Sequence, residues 1–398
     1  MRHTLAIIAA QAIRALAPLA TLPLLSRSTS LADFGEYVFY LTLGLAISVV
    51  VDFGFSFTGY GLASKADDQR SFFARTTATR LLVGVVLALV VIGIVLVVAP
   101  SSLPFAAAAC AYAIGLGCTP LWFMNWRKQS GRLLLYESLP VVAMVAAALL
   151  VFFFHVPTPL VLLAGAAGAL IGPLQLSIPS WIREPRETLQ AIWPLLTTQA
   201  NVTLGRVVVA AYTVAFIPIG SVVVHASAVG HYVAVEKLGS VLGIIGIMTA
   251  QWLAPALVRA RTDGAGLKPL ASRVFLLGIV LPAAVGIPLA LAGGTLIAIL
   301  FGPNFHGLDL GGAIVVGASI LGFWSTIIWS GTALPLGITR GYLPTVALGA
   351  IVAILALLAF RDMDYLALSL ARLAAETAVF IVSALLIAPR IVRFFRRQ

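Results

Sequence analysis

The sequence predicts an all-α polytopic membrane protein of about 12 transmembrane helices in two halves of six spans. Two observations carry the membrane assignment. Of 398 residues, 61% are hydrophobic and only 10% charged, against roughly 45–50% apolar and 25% charged in soluble domains. The mean hydropathy is +1.07, and apolar runs of the roughly 20 residues that cross a bilayer follow one another with little between them. A third observation gives the orientation. Most of the 25 Lys and Arg lie in alternate connections, and the opposite connections carry only Arg27 and Arg361.

The first run, Thr4 to Leu25, holds Arg14 at its centre and no small-residue cleavage pattern follows it. It is read as a retained span and not a signal peptide. Spans are expected next at 34–62, 76–99, 105–125, 136–154 and 159–180. Pro100 to Pro104 and His155 to Pro159 are just long enough to reverse the chain on one side. On the other side lie Lys65, Arg70, Arg75 and Arg80, then Arg127, Lys128 and Arg132, then Arg183 and Arg186. Trp181 to Gln190, which contains Arg183-Glu184-Pro185-Arg186-Glu187, reads as a cytoplasmic linker between an N-lobe, 1–180, and a C-lobe, 191–398. The C-lobe spans are expected at 191–217, 228–256, 272–300, 309–333, 342–360 and 365–388, followed by a basic tail. By the positive-inside rule both termini are cytoplasmic. The net charge of +11 is then topology, with anionic lipid headgroups as its partner and no nucleic acid.

Missing motifs narrow the function. None of Lys65, Lys128, Lys237 and Lys268 follows a glycine, so the phosphate-cradling loop of an ATPase is absent. Neither His-Glu-x-x-His nor Gly-x-Ser-x-Gly occurs. The five histidines are scattered, and Asp362-Met363-Asp364 has no third ligand nearby, so no metal or other cofactor is expected. Cys110 and Cys118 on one helix would lie about 12 Å apart, too far for a disulfide. An enzyme is disfavoured. A transporter, a lipid translocator and a membrane scaffold remain.

The halves repeat. Phe34-Gly35-Glu36-Tyr37 opens the second span and Val229-Gly230-His231-Tyr232 the eighth, at an offset of 195, and each follows a span with a central arginine, Arg14 and Arg206. Six spans per half give a parallel repeat, which places a transport path between lobes.

Charge inside a span costs at least about 2.5–3.5 kcal/mol, so each such residue needs a cavity or a partner. The candidates are Arg14, Asp52, Arg206, Glu236, Lys237, Arg372 and Glu376. Arg372 and Glu376, four apart, form an expected structural pair. Glu236 and Lys237, adjacent on a helix, are expected to face different neighbours. Arg14 and Arg206 have no acid in their own helices, leaving either Asp52 as partner or, with Lys237, a diphosphate gripped by guanidinium groups. Gln11, Gln199 and Asn201 add polar groups to the same spans and serve either a hydrated cavity or helix-to-helix hydrogen bonds. Asp52 and Glu236 are the carboxylates available for ion coupling. Gly168-x-x-x-Gly172 and Gly239-x-x-x-Gly243 are expected to allow close helix approach.

Three stretches resemble the polysaccharide transporter (O-antigen flippase) branch of the multidrug, oligosaccharidyl-lipid and polysaccharide exporter superfamily. They are Leu22-Pro23-Leu24-Leu25-Ser26-Arg27 with Phe34-Gly35-Glu36-Tyr37 and Asp52-Phe53-Gly54, then Val229-Gly230-His231-Tyr232 with Ala250-Gln251-Trp252-Leu253-Ala254-Pro255, and Leu300-Phe301-Gly302-Pro303-Asn304-Phe305. The resemblance implies two six-helix lobes around a central cavity lined by spans 1, 2, 7 and 8. It implies alternating-access flipping of a polyprenyl-diphosphate-linked oligosaccharide across a bacterial inner membrane, with Arg14, Arg206 and Lys237 at the head group. A pathway lying between two lobes of one chain is expected to make the protein a monomer, with polysaccharide polymerase machinery as an expected contact. A cation-coupled multidrug exporter of the same superfamily and a non-transporting scaffold are the alternatives. Three cavity cations against two carboxylates lean away from cationic drugs.

Overall fold

The computed structural model describes residues 20–63, 66–213, 223–262, 268–333 and 341–396, with positions 9, 13, 220 and 338 besides. Among the described residues the chain is helical and no strand occurs. Ten helical segments are long and apolar enough to cross a membrane. Of the first expected span, residues 20–28 are helical and most of the rest lies outside the described residues. The seventh is helical over Pro185–Thr213, but Thr197, Thr198, Gln199, Asn201, Thr203 and Arg206 make it too polar for that count.

Contacts divide the chain into two units, Met1–Pro218 and Ile219–Gln398. In the first, α1 spans Leu31–Asp52 and opens on a capping arrangement. Ser30 Oγ accepts from the Asp33 amide at 3.1 Å and donates to the Asp33 carboxylate at 2.7 Å. The expected continuous span 34–62 is corrected here. Phe53 (φ 49°) and Gly54 (φ 79°) turn left-handed, a conformation glycine accepts freely and Phe53 holds at some cost. The helix resumes as α2, Phe55–Ala63.

α3, Gln69–Val98, is sorted inside out. Leu82, Val85, Val86, Leu89 and Val90 form an exposed stripe at helical spacing, whereas Phe73, Ala74, Thr77, Arg80 and Gly84 on the other face are buried. An apolar stripe turned outward fits lipid as the solvent. The expected span 105–125 is likewise two helices, α4 (Leu103–Gly117) and α5 (Leu121–Trp126), separated at Cys118-Thr119-Pro120. Proline biases the residue before it away from helix. α5 supplies Trp122 and Phe123 to an aromatic cluster with Phe73 and Tyr136.

α6 (Ser130–Phe154) and α7 (Pro159–Arg183) pack face to face. A Cβ added at Gly168 would lie 2.8 Å from the backbone of Leu139 and Pro140, and Gly172 faces Tyr136 equally closely. That glycine pair does set a close crossing. The expected linker 181–190 contracts to a corner at Glu184, because Pro185 at once begins α8, Pro185–Thr213. Proline's fixed φ suits a first helical turn. α8 packs on α1, α3 and α7.

The second unit contains α9 (Ala226–Thr262), α10 (Lys268–Phe301), α11 (Asp309–Thr326), α12 (Tyr342–Ala359) and α13 (Tyr365–Arg396). α11 packs on α9, α10 and α13 and runs on as a π-helix over Ile327–Ala333. There the Trp329 indole donates to Ser383 Oγ at 2.8 Å. Ala226 opens α9 195 residues after Leu31 opens α1, the offset of the repeated motif. Gly239 lies against Ser319 of α11, but Gly243 meets no atom within 4 Å, so only the first glycine of that pair serves packing. Both cysteines are buried and free.

Candidate functional site

Among the described residues, each unit holds a cluster of buried charge. In the first, the break between α1 and α2 leaves the Asp52 carboxylate at the start of a new helix. There it accepts from the Ser56 hydroxyl at 2.6 Å and the Ser56 amide at 3.4 Å. Across from it stands Arg80 of α3, fully buried, with Nη2 3.3 Å from Asp52 Oδ1. Arg80 Nη1 donates to the Thr119 carbonyl at 3.3 Å, the carbonyl freed where α4 ends before Pro120. The guanidinium lies 5.1 Å over the Phe55 ring and 5.9 Å from that of Trp122. Each helix break thus supplies one acceptor, and the aromatic faces add polarisation.

This arrangement corrects one expectation: Arg80, counted among the loop charges, is buried within α3, where it meets Asp52. Arg14 and Gln11 lie outside the described residues. Positions 201 and 206 are helical in α8, but the side chains of Asn201 and Arg206 are not among those described. Gln199 is described and 2% exposed. Its amide oxygen accepts from Thr58 Oγ1 at 2.8 Å, so it ties α8 to α2.

The second cluster joins α9 to α13. Glu236 Oε1 lies 3.1 Å from Arg372 Nη1, and Glu236 Oε2 lies 2.8 Å from Lys237 Nζ. The Arg372 bridge to Glu236 runs between helices, beside the expected electrostatic partner Glu376 on its own helix. Tyr232 and Glu376 complete the electrostatic surroundings of the guanidinium. Glu236 and Lys237 also meet despite their divergent Cβ directions, since a lysine stem is long enough to fold back. One helical turn toward the start of α9, His231 packs edge-on against Phe305 at 5.5 Å and its Nε2 lies 3.2 Å from the Asn304 carbonyl. Two of the short family-like motifs thus touch each other.

Sequence reasoning missed Arg80 and the buried Glu137. Both lie within a turn or two of a span's cytoplasmic end and were indistinguishable from loop charge. For Arg80 the legible signal was its four-residue spacing from Thr76 and Gly84, on a face free of the α3 lipid stripe. Among the described residues no group of three metal-ligating side chains occurs.

Among solved structures the chain is similar over its whole length to transporters of the MOP superfamily. One is an inward-facing multidrug resistance MATE family transporter, 13% identical, covering 98% of this chain and 96% of that one at a TM-score of 0.64. Another is the lipid II flippase MurJ in an inward closed conformation, 12% identical, covering 99% and 88% at 0.70. A third is a MOP superfamily transporter from Pyrococcus furiosus, 13% identical, covering 98% and 95% at 0.61. No protein-family profile matches the sequence and no curated protein does. The chain has the fold of these transporters.

Proposed function

We propose that the protein is a flippase. It carries a polyprenyl-diphosphate-linked oligosaccharide from the cytoplasmic to the outer leaflet of a bacterial inner membrane, by alternating access, for surface polysaccharide synthesis. The observation that carries this reading is the full-length fold likeness to a lipid II flippase at a TM-score of 0.70. The cations of the spans supply the substrate chemistry, because Arg14 and Arg206 offer the fork geometry a diphosphate accepts and Lys237 adds a point charge.

Glu236 is engaged through both oxygens, one to each base. Lys237 can therefore swing to an incoming phosphate while Arg372 keeps Glu236 neutralised. The cost of moving Lys237 is one partly exposed ion pair, with the lysine side chain at 20% exposure. Exporting about two negative charges across 100 mV, interior negative, gains roughly 4.6 kcal/mol. ATP is unnecessary on that account. Ion coupling through Asp52 or Glu236 would require Arg80 or Arg372 to release its carboxylate first.

The MATE likenesses favour a second reading, a cation-coupled multidrug exporter. The Pyrococcus furiosus neighbour is described as having a binding pocket of reversed polarity and a different function, so this fold accommodates pockets of either sign. Transport in proteoliposomes separates the two readings. A fluorescent polyprenyl-diphosphate oligosaccharide placed in the inner leaflet should reach the outside with wild type and fail with Arg206→Ala. Failure with folded, oriented wild type, together with export of a cationic dye, would replace the flippase reading by the exporter.

A further inference from the structure

The first unit has a polar cavity of about 250 Å³ at the end of α3, α6 and α7 that the positive-inside rule places in the cytoplasm. Three arginines line it, one from each helix: Arg70, Arg132 and Arg183. Its two acids are already committed. Glu184 holds Arg75 at 3.0 Å. Asp68 caps α3, accepting from the Arg70 amide at 2.8 Å and the Ser71 hydroxyl at 2.9 Å. With Arg75 cancelling Glu184, three guanidinium groups face one capping carboxylate. None of the three shows an ion pair among the described residues.

Next in sequence to lining residues of α6 and α7 stand exposed aliphatic side chains. Pro179 and Arg183, four apart, line the cavity from α7. The stripe one residue earlier, Ile178 and Ile182, is 44% and 77% exposed, and Leu135 on α6 is 53% exposed. Convergent arginines beside exposed aliphatic side chains match one molecule with both properties, a phosphate group carrying acyl chains.

We propose that this cavity binds the headgroup phosphate of an anionic phospholipid, with the acyl chains running along Ile178, Ile182 and Leu135. The bound lipid ties together the ends of α3, α6 and α7. The inference is independent of what the protein transports. It also narrows the general attraction of basic loops for anionic lipid to a defined place.

Native mass spectrometry of the detergent-purified full chain tests it, titrating phosphatidylglycerol, phosphatidylcholine and inorganic phosphate. Phosphatidylglycerol should be retained in preference to phosphatidylcholine, and its binding should weaken about thirtyfold in the double variant Arg132→Gln, Arg183→Gln, since each surface arginine contributes about a factor of five. Arg361→Gln, exposed and in the other unit, should bind as wild type does. Arg132 and Arg183 are exposed and show no ion pair among the described residues, so their loss leaves no buried charge, and circular dichroism of the double variant should match wild type. Arg132→Lys, which keeps charge and loses the fork, should fall between. Equal retention of phosphatidylcholine, or undiminished phosphatidylglycerol binding in the double variant, would overturn the site. Displacement of the lipid by millimolar inorganic phosphate would overturn the lipid assignment in favour of a soluble phosphate.

Discussion

A fully buried guanidinium is tolerated only beside an anion, polarisable faces or water. Arg80 has the Asp52 carboxylate at 3.3 Å and the rings of Phe55 and Trp122 within 6 Å. Removing one member of a buried pair strands the other at a cost of about 3–5 kcal/mol, whereas replacing both by apolar or neutral groups is often harmless. Arg80→Met should therefore lower the thermal unfolding midpoint sharply, and Arg80→Met with Asp52→Asn should regain much of the loss. A double variant no more stable than the single one would show that Asp52 and Arg80 act separately. In the second unit, Lys237→Gln leaves Glu236 its bond to Arg372, so it should reduce export of an anionic head group with little change in unfolding. Arg372→Gln should reduce both.

At the scale of the helix, ends and crossings carry the structure. Asp68 caps α3, and the Ser71 hydroxyl, followed by the Arg70 amide, holds its carboxyl below the usual carboxylate range. A carboxylate depressed in the folded state adds stability above its unfolded pKa and loses it as pH falls through the folded value. Asp68→Ala should cost about 1 kcal/mol at neutral pH, as other lost caps do. The gap between variant and wild type should therefore narrow as pH falls through the depressed folded-state value. Unfolding curves at pH 7 and pH 3 check this, and a gap that persists in acid would mean the cap acts without its charge. Gly168 lies against the backbone of Leu139 and Pro140, which cannot move aside as a side-chain tip can. Gly168→Val should force α6 and α7 apart and cost more than Gly243→Val, where the space is open. Detergent thermostability of the two variants measures the difference.

Across the whole molecule, the helix starts at Leu31 and Ala226 keep the offset of the repeated motif, and the fold likeness extends over essentially the full chain. If an anionic head group crosses, a potential positive outside should accelerate export in proteoliposomes by the work done on about two charges. A reversed potential should slow it. Export indifferent to the potential would mean that the moving species is electrically neutral, through a co-exported cation or a retained protein charge.

Most of the membrane spans were legible in the sequence, ten helical segments being long and apolar enough to cross a bilayer, because span length and hydropathy are properties of the chain read in order. Arg14, Asp52, Arg206, Glu236 and Lys237 were identifiable as costly charges for the same reason. Partner choice was not. Asp52 meets Arg80, and Arg372 meets Glu236, because neighbouring helices bring together residues 28 and 136 positions apart. The two breaks that expose acceptors for Arg80 also escaped, since hydropathy is blind to an apolar residue such as Phe53 turning left-handed. Hydropathy and charge order decide which segments enter the membrane, while side-chain packing between helices decides which buried charge is already neutralised and which is left for a substrate.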